Sequence, residues 1–228
     1  MFKVIVFDAY GTLFDVYSMG ALAEEIFPGH GAALSNAWRD KQIEYTRLTT
    51  MSDPSGTQGS RHYQPFAELT VASLRYCCKR MGLNLTPAHE ARMIHQYEML
   101  APFAESLPVL KHLHEKGLST AILSNGSPDM LNSAVNHAGL GPYLNHVITV
   151  EGIRLFKTAP QSYGLVLKQF PVRADEVLFV SSNAWDALGA TWFGFKTLWV
   201  NRQGLPYEEI GPKPTYTGTS LEDVLHVI

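Results

Sequence analysis

The sequence predicts an α/β protein: a doubly wound core around a parallel sheet, with an all-helical insertion after the first strand. Three observations carry this. Short apolar runs alternate with amphipathic stretches of helix length through the second half of the chain, the pattern of strands joined by crossover helices. Residues 16–100 hold no convincing strand and read as helices throughout. Polar and charged residues follow the apolar runs at their carboxyl ends, where sheets wound this way bind ligands.

Taken in order, KVIVF at 3–7 is apolar, β-branched and without alternation, as a strand buried on both faces requires. Helices are expected near 17–27, 33–49, 62–81 and 87–100. SDPSGTQGS, residues 52–60, is dense in turn formers and polar residues, so a mobile loop is expected there. The core resumes with a helix near 104–116, STAIL at 119–123, a helix near 127–138 and HVITV at 146–150. A helix near 160–170, VLFV at 177–180, a helix near 184–193 and TLWV at 197–200 complete it. On this reading 1–15 and 101–228 form the core, and 16–100 form a helical cap over the strand ends.

A chain of 228 residues with 46% hydrophobic content can bury one full core and carry a sizeable insertion. Its formal charge of -3 and the absence of Lys/Arg runs leave no electrostatic footprint for nucleic acid or an acidic membrane surface. A small-molecule partner is expected instead. MFKVIVFDAY has too few apolar residues before a charge for a secretory or membrane-spanning segment, which makes a cytoplasmic protein the expectation. Cys77 and Cys78 are adjacent, so they suit neither a structural disulfide nor a metal site and read as buried thiols on a helix. His62, His89, His95, His112, His114 and His137 share no ligand spacing and read as surface or satisfied residues.

The polar residues at the strand ends form a pattern. Asp8 ends the first strand, Ser124 and Asn125 end the second, and SSNAWD at 181–186 follows VLFV. Lys157, in LFKTAPQSY, precedes a helix. In a doubly wound sheet these positions converge on one crevice, and two acids, a lysine and several hydroxyl and amide groups together make a nucleophilic site.

FDAYGTLFD, ILSNG, the lysine before a helix and FVSSNAWDALGATWFGFKTLWVNRQG resemble the haloacid dehalogenase superfamily, specifically its (S)-2-haloacid dehalogenase branch. The resemblance runs over nearly the whole chain, with the motifs in order, and implies a Rossmann-like core under a helical cap. Phosphatases of that superfamily carry Asp-x-Asp at the first strand and a metal-binding acid in a Gly-Asp-Ser-like motif. Here Tyr10 replaces the second acid, and Ser181, Ser182 and Asn183 occupy the metal-binding stretch. A phosphoryl group draws on a metal ion and a proton donor for its leaving group, whereas a halide leaves as a weak base and needs neither. The resemblance therefore implies displacement at carbon without metal or other cofactor.

It further implies that Asp8 attacks the α-carbon of a short-chain (S)-2-haloacid, expelling halide with inversion, and that water then hydrolyses the aspartyl ester to an (R)-2-hydroxy acid. Lys157 would neutralise the carboxylates, and Asp186 would orient or deprotonate the water with Ser181 and Asn183 tying the network together. The Lys-Pro of the family is Lys157-Thr158 here. Thr12 and Ser124 would hydrogen-bond Asp8 and the substrate carboxylate, beside the backbone amides of Ala9 and Tyr10. Arg39 would reach from the cap to the halogen with Asn125 opposite, and Asp40 stands where a polar amide is expected. Tyr163 would hydrogen-bond within the site, and Tyr10, Ile43, Phe66 and Trp185 would form an apolar wall. A homodimer is also implied. The alternatives are a magnesium-dependent phosphatase of the same superfamily and a non-catalytic ligand-binding member.

Overall fold

Six parallel strands make one sheet in a computed structural model that describes residues 2–53 and 58–228. They are β1 (Val4–Phe7), β2 (Ser119–Ser124), β3 (His146–Thr149), β4 (Val177–Ser181), β5 (Lys196–Val200) and β6 (Tyr216–Gly218). The order across the sheet is β3-β2-β1-β4-β5-β6. β1 is central and buried along its whole length, with Val4 opposite Ser119 on one side and Val177 on the other. The chain moves outward from β1 through β2 to β3, then crosses back to β4. Successive connections thus diverge at β1 and β4, which opens a crevice beyond their carboxyl ends.

The first five strands fall where the apolar runs place them. β6 does not announce itself, because it is a three-residue edge strand, YTG, with two exposed side chains and no apolar run. Its pairing with β5, Leu198 opposite Tyr216, comes from tertiary packing.

Between β1 and β2 the chain forms α1 (Met19–Ile26), α2 (Gly31–Met51), α3 (Phe66–Arg80), α4 (Pro87–Glu98) and α5 (Ser106–Glu115). α3 starts four residues later than expected at 62, since Pro65 disfavours a helical conformation at Gln64 before it. α4 starts at a proline, and the Thr86 side chain accepts the His89 amide hydrogen as a cap. α1 and α2 approach closely at Gly31, where a Cβ would lie 2.6 Å from the Gly20 carbonyl oxygen. The mobile loop expected at 52–60 lies in part, at 54–57, outside the described residues.

The remaining helices are α6 (Pro128–His137), α7 (Pro160–Gln169), α8 (Ala184–Phe193) and a short carboxyl-terminal α9 (Val224–Val227). α8 stops at Gly194, whose φ of 108° is readily adopted only without a side chain. Cys77 and Cys78 are free and buried on α3. Among the described residues no helix is long and apolar enough to cross a membrane.

Candidate active site

The loop after β1 makes the first part of the site. Asp8 still pairs with the sheet through its amide, which donates to the Val180 carbonyl at 2.9 Å. The chain then turns tightly, the Ala9 carbonyl accepting the amide hydrogens of Thr12, Leu13 and Phe14 at 3.2, 2.8 and 3.0 Å. Gly11 at φ 88° permits the turn. It brings the Thr12 hydroxyl back over Asp8, where it donates to Oδ2 at 3.0 Å and accepts the Ser182 amide at 2.8 Å. The amides of Ala9 and Tyr10 meet no protein acceptor among the described residues and remain available to a ligand.

Lys157 closes the second side. Its backbone amide donates to Asn125 Oδ1 at 2.9 Å, and the preceding Phe156 amide donates to Thr50 Oγ1 at 3.0 Å, pinning the segment ahead of α7. The Lys157–Thr158 bond is cis. The ammonium is buried, 1% exposed overall, and bridges two carboxylates: Asp8 Oδ1 at 3.0 Å and Asp186 Oδ2 at 2.8 Å. Burial by itself would lower the Lys157 pKa, but the two carboxylates overcome it and hold the group above its ordinary value. Lys157 is therefore a charged ammonium throughout the neutral range.

The turn from β4 into α8 supplies the third side. Asn183 donates its side-chain amide to Asp8 Oδ2 at 2.8 Å and to the Tyr10 carbonyl at 3.1 Å. Ser181 donates to Asp186 Oδ2 at 3.3 Å and accepts the Asn183 amide at 3.1 Å. Asp186, in the first turn of α8, has no exposed surface and takes the Tyr163 hydroxyl on Oδ1 at 2.8 Å. Burial pushes its carboxyl up to about 6; Lys157 opposes that shift and the nearby Asp8 adds to it. The Tyr163 hydroxyl is driven well above its usual value by burial and by Asp186, so it acts as a donor.

Arg39 on α2 crosses to the core. Its Nη2 donates to the Tyr10 carbonyl at 3.2 Å and lies 3.5 Å from Asn183 Oδ1, and its Nη1 donates to Gln42 Oε1 at 2.8 Å. Beyond it lies an open cleft of about 830 Å³, lined by Arg39, Ile43, Arg47, Asn183, Trp185 and Arg202 among others. Asp8, 6% exposed, lies behind the Arg39–Asn183 contact rather than in the cleft wall.

Nine of the expected residues thus join in one connected polar cluster: Asp8, Thr12, Arg39, Asn125, Lys157, Tyr163, Ser181, Asn183 and Asp186. Two expectations need correction. Ser124 does not hydrogen-bond Asp8; its oxygen accepts the Gly126 amide at 3.0 Å, since the chain turns sharply after β2. Asn125 accepts the Lys157 backbone amide on its carbonyl oxygen, and its Nδ2 is buried and unpaired. The apolar wall divides in two. Tyr10 and Phe66 stack at 5.8 Å and are buried, whereas Ile43 and Trp185 line the outer cleft. A smaller correction concerns His89, whose Nδ1 is buried without a partner rather than satisfied.

Two contacts of the site had no usable sequence signal. Tyr97 of α4 packs at a tilt against Tyr10, ring centres 5.5 Å apart, and Arg202 after β5 donates to the Thr12 carbonyl at 3.0 Å while paired with Glu105. Both depend on chain segments far apart in sequence. Gln42, by contrast, lies three residues after Arg39 on one helix, a spacing that brings side chains together.

A parallel sheet with an acid, a lysine and a second acid at its switch point holds the groups that a hydrolase with a carboxylate nucleophile needs. The sequence profile of the haloacid dehalogenase-like hydrolases matches residues 2–194, and the chain belongs to that family. It is 40% identical to the (S)-2-haloacid dehalogenase of Pseudomonas sp. (strain YL), over 99% of this chain and 94% of the relative. A crystal structure of an L-2-haloacid dehalogenase superposes with a TM-score of 0.95 at 50% identity, over 99% of this chain and 98% of the other. The L-2-haloacid dehalogenase of Xanthobacter autotrophicus with chloropropionic acid covalently bound superposes at 0.88, with 34% identity over 100% and 98% of the two chains.

Proposed function

We propose that the protein hydrolyses short-chain (S)-2-haloacids to (R)-2-hydroxy acids through an ester on Asp8. The observation that carries this reading is the setting of Asp8: a buried carboxylate held by Lys157, Thr12 and Asn183, with a tyrosine two residues on where a phosphatase has its second acid. In the first step an Asp8 oxygen forms a bond to the α-carbon as the carbon–halogen bond breaks, and the halide leaves with the bonding electrons. In-line attack inverts the carbon. Holding carboxylate and carbon together in a dry site contributes on the order of 7 to 11 kcal/mol.

In the second step water attacks the carbonyl carbon of the Asp8 ester. Asp186 takes a proton from that water and returns it to the oxygen of the departing hydroxy acid, and the acid left on Asp8 loses its proton to become the free carboxylate again. The free amides of Ala9 and Tyr10 and the hydroxyl of Ser124 supply donors for the substrate carboxylate and for the oxygen that gains charge. Lys157 balances the negative charge of Asp8 and Asp186. Arg39 faces the departing halide, with Asn125 Nδ2 a further donor at the inner side.

The donor set does not suit a divalent cation. Asp8 is met by an ammonium and an amide nitrogen, and the β4 end offers Ser181, Ser182 and Asn183 in place of a carboxylate. On this reading α1–α4 are a cap, within 16–100, over a core of 1–15 and 101–228, and Arg39 is their contribution to the chemistry. The same reading extends to a cytoplasmic homodimer, to which Leu48 and Met51, exposed on one side of α2, offer an apolar surface.

The test is halide release from each enantiomer of 2-chloropropionate in the presence of a chelator. Chloride from the S form alone, with (R)-lactate as product, is expected. No halide from either form, together with magnesium-dependent phosphate release from an aryl phosphate, overturns the reading.

A further inference from the structure

We infer that Gln42 is a positioning residue for dehalogenation, a neutral amide that aims the Arg39 guanidinium while leaving its charge uncancelled. The inference rests on the reading above that Arg39 faces the departing halide.

Gln42 has no exposed surface, and each polar atom of its side chain is engaged. Oε1 accepts Arg39 Nη1 at 2.8 Å and the Tyr97 hydroxyl at 3.2 Å, and Nε2 donates to Thr70 Oγ1 at 2.6 Å. The orientation of the amide follows from the next link. Thr70 gives its hydroxyl hydrogen to the Phe66 carbonyl at 2.7 Å, so toward Gln42 it can only accept. Gln42 must therefore turn its NH2 to Thr70 and its carbonyl to Arg39. One amide thus ties α2, α3 and α4 together directly beneath the arginine.

The chemistry of the partner matters as much as its place. All the acceptors around the guanidinium, Gln42 Oε1, the Tyr10 carbonyl and Asn183 Oδ1, are neutral. Among the described residues no carboxylate lies within ion-pairing distance of Arg39, although Asp40 is its neighbour in sequence. A half-buried arginine is usually matched by an acid. Matched only by dipoles, this one keeps its full field for an anion arriving from the other side. A carboxylate at position 42 would hold the same guanidinium and cancel it.

Gln42→Glu is close to isosteric and tests the charge; Thr70→Val removes the acceptor that orients the amide. The readout is single-turnover halide release from (S)-2-chloropropionate and (S)-2-bromopropionate, with the melting temperature of each variant. Chloride is the poorer leaving group and needs more help. The bromide-to-chloride rate ratio is expected to rise about tenfold in Gln42→Glu and about threefold in Thr70→Val. A purely structural role would slow both substrates alike. A wild-type ratio in a variant that keeps the wild-type melting temperature overturns the inference, as does recovery of the wild-type ratio in Gln42→Glu despite a lowered melting temperature. Absence of halide release by the wild-type protein overturns the proposed function itself, and this inference with it.

Discussion

Asp186 shows how one residue can answer to folding and to chemistry with opposite signs. Burial raises its carboxyl from 3.8 to about 6. A folded-state pKa above the unfolded value gives stability that is fully present below pH 3.8 and is lost as pH rises through about 6. The water-activating role needs the ionised form, so turnover should move the other way. In the ester Asp8 is neutral and one cause of that rise is gone, so the rate of ester hydrolysis is expected to fall tenfold per pH unit below a break that lies under 6, following one proton. Single-turnover decay of the Asp8 ester between pH 4.5 and 8, measured by quench and mass spectrometry, checks this; a flat profile would remove Asp186 from the step. The identities of Asp8, Lys157 and Asp186 as a set could be read from the motifs. Which oxygen each group takes could not, because that depends on side-chain directions from three segments far apart along the chain.

At the scale of elements, the junction of α7 and α8 holds the acid in place. Tyr163 on α7 reaches Asp186 on α8 across Gly189, where an added Cβ would run into the Tyr163 hydroxyl and come within 2.8 Å of Thr158 Cγ2. In an isolated helix, replacing glycine by alanine would stabilise by about 1 kcal/mol. Here the overlap reverses the sign. Gly189→Ala is expected to destabilise the protein by about 1 to 3 kcal/mol and to slow turnover at least tenfold, since Tyr163 hydrogen-bonds Asp186 and Thr158 directly follows Lys157. Urea unfolding read beside kcat checks the pair of effects. A more stable, fully active variant would mean that the two helices separate freely. The sequence locates both helices by their spacing of apolar residues, yet nothing in that spacing says that they touch at a glycine. β6 escaped for the complementary reason: a short, exposed edge strand is defined by its neighbour and not by its own residues.

For the whole molecule, the bearing question is how it sits in solution. Leu48 and Met51 stand three residues apart on α2 and are 56% and 70% exposed, and Tyr76 of α3 is 40% exposed. Single exposed apolar residues are ordinary, but a group of them on adjoining helices marks a surface that water covers poorly. Sedimentation equilibrium is expected to give twice the chain mass of 25.3 kDa, and Leu48→Lys with Met51→Lys to return it to one chain. A monomer for the unaltered protein would rule out this assembly. The sequence by itself determined the alternation of strands and helices, the helical insertion and the polar set at the strand ends, because each of these is written in local periodicity or in residues adjacent along the chain. Only the tertiary structure decided that Tyr97 and Arg202 belong to the site, that the Ser124 oxygen takes the Gly126 amide and not Asp8, and that Tyr10 and Phe66 pack apart from Ile43 and Trp185. Those outcomes depend on how separate elements pack in three dimensions, and packing distance leaves no trace in the spacing of residues along one element.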